Sequence, residues 1–103
     1  MLPNHHKPPP MTVGRAEKIA AMALAFLAED VGRLTQFLSV TGLSADALRR
    51  DASGQRTLAA VLAYLADDES LLLVFASAAA LSPAEIAPAR DILESNHHRS
   101  DDA

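Results

Sequence analysis

Histidines occur in this chain as two adjacent pairs, His5-His6 and His97-His98. Adjacent imidazoles can chelate a divalent metal loosely, but a defined metal site needs further ligands held in fixed geometry. Both pairs fall in segments that we predict to be tails, and no histidine lies between them. The sequence therefore predicts neither a metal centre nor a histidine general acid or base in the folded body.

Carboxylates cluster at two places, Glu29-Asp30 and Asp67-Asp68-Glu69. If these clusters met in space, they could hold a hard cation or share a proton. The same residue types also cap helix N-termini, and di-metal helical bundles use Glu-x-x-His motifs, which this chain lacks. We therefore interpret both clusters as helix caps and predict no bound metal.

Nucleophilic catalysis has no obvious basis in this sequence. The chain contains no cysteine, and its serines have no nearby histidine or lysine arranged as an activating base. It also lacks the G-x-S-x-G, P-loop and G-x-G-x-x-G patterns. We predict a protein that is not an enzyme and that uses no cofactor.

Composition favours a small helical domain that binds neither nucleic acid nor membrane. Half of the 103 residues are apolar, Ala and Leu dominate, and only 4% are aromatic. The formal net charge of −4 disfavours non-specific contact with phosphate backbones. The longest uncharged run, Ser70 to Ala84, is too short to cross a bilayer.

The chain repeats itself at an interval of 38 residues. Residues 21–48 realign without a gap on residues 59–86, so that Phe-Leu-Ala-Glu-Asp corresponds to Tyr-Leu-Ala-Asp-Asp. The apolar anchors shared by both copies are Leu24/Leu62, Leu27/Leu65, Leu34/Leu72, Phe37/Phe75, Leu43/Leu81 and Leu48/Ile86. A repeat of this length predicts two copies of one helical unit that share a core.

Each copy contains three predicted helices, joined by a break at Ala52-Ser53-Gly54. We expect an all-α, compact bundle of about six short helices with approximate two-fold symmetry. The predicted helices are 15–29, 31–41, 45–51, 55–66, 69–80 and 83–94. The predicted organisation is a Pro-rich disordered arm at 1–14, one domain at 15–94 with repeats at 19–50 and 57–93, and a disordered tail at 95–103.

The second and fifth predicted helices differ in their outward residues. Arg33, Thr35 and Gln36 of the second helix correspond to three apolar residues of the fifth, Leu71, Leu73 and Val74. A helix that is apolar on every side is usually buried on every side, which would place the fifth helix at the centre. Alternatively, these three residues form an exposed patch for a second subunit or a protein partner.

Residues 31–51 also resemble a helix-turn-helix, with a glycine turn and arginines on the second helix. This alternative predicts a small DNA-associated regulator that contacts DNA through Arg49, Arg50 and Arg56. Asp46 lies near the start of the same helix, where it would face the phosphates, and the second copy lacks the equivalent arginines. Any tight pair of helices also gives this pattern.

The pattern A-L-x-F-L-A-E-D…L…F-L…T-G-L-S…L-R at residues 24–48, repeated at 62–86, resembles a family of small alphaproteobacterial proteins. That family is catalogued only as a domain of unknown function, and the resemblance covers about residues 16–93. It implies a compact helical fold in a bacterial cytoplasm and brings no catalytic residue or cofactor. We expect a non-enzymatic protein-interaction module, with self-association as one form of it.

Overall fold

A computed structural model describes the backbone of residues 10–102 and the side chains of residues 10–96. Within these residues the structure holds six α-helices, one short 3-10 turn and no β-strand, which confirms the all-α class. The helices are α1 Val13–Ala28, α2 Val31–Thr41, α3 Ala45–Arg50, α4 Gln55–Ala66, α5 Glu69–Ala79 and α6 Ile86–Asp102, with the 3-10 turn at Pro83–Glu85.

Most helices begin at a residue whose side chain accepts a hydrogen bond from the first turn. Asp30 accepts from the Arg33 amide at 3.1 Å, and Ser44 accepts from the Ala47 amide at 3.0 Å. These bonds satisfy amide groups that the helix itself leaves without partners. The other caps with such a bond are Thr12, Asp68 and Ser82, and Ser82 forms a full capping box with Glu85. The N-cap residue of α4 is Gly54, which has no side chain to form such a bond.

Two helices end in the left-handed conformation. Gly42 has φ 78° after α2, and Ala80 has φ 57° after α5. The Leu81 amide then donates to the Ala76 carbonyl at 2.8 Å, which closes the end of α5. Glycine is the usual residue in this conformation, whereas position 80, which corresponds to Gly42 in the 38-residue repeat, is an alanine.

The core lies among α1, α4 and α6. The most extensive contact is between α4 and α6, followed by α1 with α6 and α1 with α4. The fully buried large side chains are Ile19, Leu27, Phe37, Val61, Leu62, Leu65, Phe75, Ile86 and Leu93. Burying each such side chain is worth about 1.5–3 kcal/mol, so this layer dominates the stability of the domain.

α2 and α5 lie at the edge of this core. α2 buries only Phe37 completely, and α5 buries only Phe75 and Ala76. The interpretation that placed the fifth helix at the centre is therefore wrong. The central position belongs instead to α4, which carries six buried residues between α1 and α6.

Both ends of the helical body extend further than predicted. α1 begins at Val13, inside the arm predicted for 1–14, because the Thr12 hydroxyl caps the Arg15 amide. α6 continues to Asp102, past the predicted end at residue 94, and Asn96 is tied to Gln55 of α4 by a 2.8 Å hydrogen bond. Residues 1–9 and 103 of the predicted arm and tail lie outside the described residues.

Aromatic rings join the two halves of the chain in exchanged pairs. Phe26 of α1 contacts Phe75 of α5 with ring centroids 5.4 Å apart, and Phe37 of α2 contacts Tyr64 of α4 at 5.3 Å. In the 38-residue repeat, Phe26 corresponds to Tyr64 and Phe37 corresponds to Phe75. Each ring of one pair therefore has its counterpart in the other pair.

Among the described residues, no single helix is both long and apolar enough to cross a membrane. In the same part of the chain, α5 and residues 83–96 reach that length and composition when taken together, but a bend of 111° separates them.

Candidate functional site

The outward side of α5 carries large apolar side chains. Leu73 is 46% exposed and Val74 is 49% exposed, and Leu71 lies half-buried one turn before Val74. We call these three residues the α5 outer face. Ser70 and Ser77 flank it as exposed residues of the same helix.

The three positions of α2 that correspond to the α5 outer face are polar, although α2 also exposes Val31 at its start and Val40 in its last turn. Thr35 and Gln36 are exposed, and the Arg33 guanidinium lies 4.5 Å from the centroid of the Phe26 ring. A guanidinium above an aromatic face shields the ring from water and gains a favourable electrostatic contact. In α5 the equivalent position is Leu71, so this side of the second copy presents hydrocarbon where the first presents charge.

A groove of about 570 Å³ runs along the outer side of α1. We call it the α1 groove. Its walls are Glu17, Lys18, Ala21, Leu24, Ala25 and Ala28 of α1, with Ala52, Ser53 and Leu58 opposite. Small alanines on its floor let another backbone approach closely, while Leu24 and Leu58 supply the apolar walls.

A second groove of about 520 Å³ lies between α2 and α4, and Tyr64 is one of its lining residues. Burial raises the pKa of Tyr64 above its ordinary value, and the negative charge of Asp68 raises it further. Both causes disfavour the phenolate. Tyr64 therefore stays a neutral hydrogen-bonding group well into the alkaline range.

The carboxylate clusters lie at equivalent helix junctions, where they act on the backbone. Asp30 and Asp68 are N-caps, while Glu29 and Asp67 stand at the C-terminal ends of α1 and α4. Among the described residues there is no group of three or more His, Cys, Asp or Glu side chains that could hold a metal ion. His5-His6 and the side chains of His97-His98 lie outside the described part of the chain.

The arginines of the helix-turn-helix segment lie on a very short helix. α3 has six residues, and Arg49 forms an ion pair with Asp46 of the same helix at the surface. Arg50 and Arg56 are exposed, on α3 and α4 respectively.

Neither the α1 groove nor a role for Tyr64 was predicted from the sequence. A signal for the groove exists in the 38-residue alignment. Ala52 and Ser53 break the chain after α3, whereas the equivalent Arg90 and Asp91 continue a helix. The first copy therefore lacks a helical turn that the second copy has.

The family model described as "Protein of unknown function (DUF3572)" matches residues 14–96. This range contains all of α2 to α5 and the packed parts of α1 and α6. The expectation of a family known only as a domain of unknown function is confirmed. No curated protein and no solved structure matches the chain.

Proposed function

Since the chain belongs to the family described as Protein of unknown function (DUF3572), we propose its function from its surface, as a non-enzymatic protein-interaction module. The observation that carries this proposal is the exposure of Leu73 and Val74 on the α5 outer face. The proposed setting is a bacterial cytoplasm, in an alphaproteobacterium, as the sequence resemblance implies.

The α5 outer face is suited to a protein partner because it is apolar and firmly held. Phe75 and Ala76 anchor the opposite side of the helix in the core, and Asp68 and Ala80 close its two ends. If a partner covered the exposed half of each large side chain, each would contribute about 1 kcal/mol to the free energy of binding. A contact of this kind needs little rearrangement of α5, which favours association.

We also infer that the fold arose from an internal duplication of a three-helix unit. The exchanged ring pairs support it, as do the paired caps at Asp30 and Asp68 and the paired left-handed ends at Gly42 and Ala80. In such a pair Arg33, Thr35 and Gln36 of α2 and the α5 outer face have diverged from one ancestor. This divergence supports a role for α5 that α2 does not share.

The test replaces Leu73 with glutamate and compares it with Thr35→Glu, the equivalent exposed position in α2. We expect the wild type and Thr35→Glu to retain a partner in pull-downs, or to self-associate in sedimentation, and Leu73→Glu to lose that interaction. Both variants should unfold at nearly the wild-type temperature, because both positions are exposed. Equal binding by all three proteins would remove α5 as the docking surface.

The DNA-associated regulator is less well supported as a second function. Of the three arginines proposed to contact DNA, Arg49 has its positive charge offset by an ion pair with Asp46. α3 has six residues and would make only a short recognition helix. The discriminating experiment is a salt-dependent mobility shift on duplex DNA. A shift that Arg50→Ala and Arg56→Ala together abolish would favour this function over the protein-interaction module.

A further inference from the structure

The α1 groove has a counterpart on α4 with nearly the same lining. Every α1 residue of the groove has an identical or chemically similar residue 38 positions later. The pairs are Glu17/Gln55, Lys18/Arg56, Ala21/Ala59, Leu24/Leu62, Ala25/Ala63 and Ala28/Ala66. The two helices therefore carry nearly the same surface.

On α4 the central part of this surface is covered, while Ala63 at its edge lines the groove between α2 and α4. Ala59 and Leu62 are buried, and α6 makes its most extensive contact with α4. Gln55, at the end of the same stripe, accepts a 2.8 Å hydrogen bond from Asn96 of α6. A helix carrying Ile86, Ala89 and Leu93 on its buried side is thus the natural cover for this type of surface.

On α1 the same surface is open. Ala21 is exposed and Leu24 is half-buried, although Ala59 and Leu62 at the matching positions are buried. The reason is the length of the third helix in each half. α3 ends at Arg50 and the chain turns at Gly54 into α4, whereas α6 runs on from Ile86 to Asp102. The α1 groove lies where an extended α3 would have run.

We propose that the α1 groove is a docking site for one amphipathic α-helix of a partner protein. This site is separate from the α5 outer face and does not depend on it. The docked helix presents a branched residue, a small residue three positions later and a branched residue four positions after that, as α6 does with Ile86, Ala89 and Leu93.

The polar end of the groove adds a further requirement on the partner. The Glu17 carboxylate stands there and accepts a hydrogen bond from the Gln55 amide, leaving acceptor capacity on its oxygens. In the covered counterpart, the α6 residue that reaches this end is Asn96, three positions after Leu93. The docked helix therefore carries a donor at that position, and lysine or arginine is the favoured choice beside a carboxylate.

The α6 sequence itself provides the probe. A labelled peptide of residues 82–96, stapled between positions 87 and 91, is titrated with the intact protein and followed by fluorescence anisotropy. Both stapled positions are exposed in α6, and the staple offsets the poor helicity of short peptides in water. We expect saturable binding that weakens by about tenfold or more in Ala21→Arg and Ala28→Arg, because a long cation then fills the groove.

Three controls keep the result specific. Ala87→Arg, an exposed alanine outside the groove, should bind the peptide like the wild type. A peptide with Leu93→Glu should not bind, and Leu73→Glu in the protein should bind normally, which separates this proposal from the function proposed for α5. Circular dichroism melts confirm that each variant is folded.

Three outcomes would overturn the proposal. One is the absence of saturable binding by the stapled peptide. Another is binding that neither Ala21→Arg nor Ala28→Arg weakens, since the peptide would then have replaced α6 on α4. The last is a wild-type dimer that both substitutions dissociate, because the groove would then be filled by a second copy of the chain.

Discussion

Ala80 adopts a backbone conformation that alanine rarely takes. Its φ of 57° ends α5 as the φ of 78° at Gly42 ends α2. The left-handed region costs an L-residue about 1–2 kcal/mol, because Cβ approaches the following carbonyl. Replacing alanine with glycine removes this steric cost. Glycine loses more chain entropy on folding, however, and this loss offsets part of the gain.

We therefore expect Ala80→Gly to stabilise the protein by about 0.5–1 kcal/mol, measured by urea denaturation. The matched substitution Gly42→Ala should destabilise it by a similar amount. A Cβ at Gly42 would meet no atom within 4 Å, so that loss reports backbone strain alone. If Ala80→Gly is destabilising, then the left-handed end of α5 does not carry the strain that we assign to it.

Tyr64 is the only tyrosine in the chain, and the chain contains no tryptophan, so its phenolate absorbance can be read directly. We expect a native titration midpoint above the ordinary value of 10.0, chiefly because of burial and secondarily because of Asp68. Asp68→Asn should lower the midpoint while keeping the α5 cap, since asparagine caps as well as aspartate. A midpoint near 10.0 in the folded protein would contradict this environment.

The raised pKa of Tyr64 also makes the stability of the protein depend on pH in the alkaline range. The folded state favours the neutral phenol, so the contribution of Tyr64 is present in full below the unfolded pKa of 10.0. It is lost as the pH rises through the native pKa, because the unfolded chain then releases its proton first. Tyr64→Phe should therefore remove part of the alkaline loss of stability measured by denaturant titration.

At the scale of single helices, local sequence was enough to place most of the boundaries. α2 and α4 were predicted at their observed bounds, since Asp30, Gly42 and the break before Gln55 act within a few residues. α6 was predicted to end at residue 94 because polar residues follow. Its continuation to Asp102 includes Asn96, whose partner Gln55 is 41 residues distant in the chain.

The position of α5 shows what an apolar pattern alone does not determine. Its composition predicts burial on all sides, yet Leu73 and Val74 remain about half exposed. Periodicity tells which residues of a helix are apolar, but the number of neighbours depends on how all six helices meet. In this fold α4 takes the central place, and among the described residues α5 packs against α4 and α1 while Leu73 and Val74 stay exposed. The α1 groove was not predicted for the same reason. It is open because α3 ends too early to cover that side of α1.

For the whole molecule, the 38-residue repeat predicts two matching halves, and the contacts show how much each half depends on the other. α1 makes its most extensive contacts with α6 and α4, ahead of its own neighbour α2. The ring pairs Phe26–Phe75 and Phe37–Tyr64 also cross between the halves. The core is therefore shared, and the first half cannot bury Ile19 or Leu27 without the second.

This shared core predicts that the chain can be cut between Ala52 and Ser53, two exposed residues of the α3–α4 connection, and reassembled from its fragments. We expect fragment 1–52 to be largely unfolded alone and fragment 53–103 to be partly helical, because α4 and α6 remain together. Mixing them should restore cooperative thermal unfolding, with a midpoint that rises with concentration, since assembly is now bimolecular.

Phe37 provides the control for this reassembly, because it is fully buried in the first fragment and its ring contacts Tyr64 of the second. Phe37→Ala in fragment 1–52 should weaken association strongly, since removing a buried phenylalanine costs about 3–5 kcal/mol. Thr35→Ala, at an exposed position of the same helix, should leave association unchanged. Cooperative unfolding of fragment 1–52 alone, at the temperature of the intact chain, would show instead that the first half is an independent folding unit and that the exchanged ring pairs contribute little to its stability.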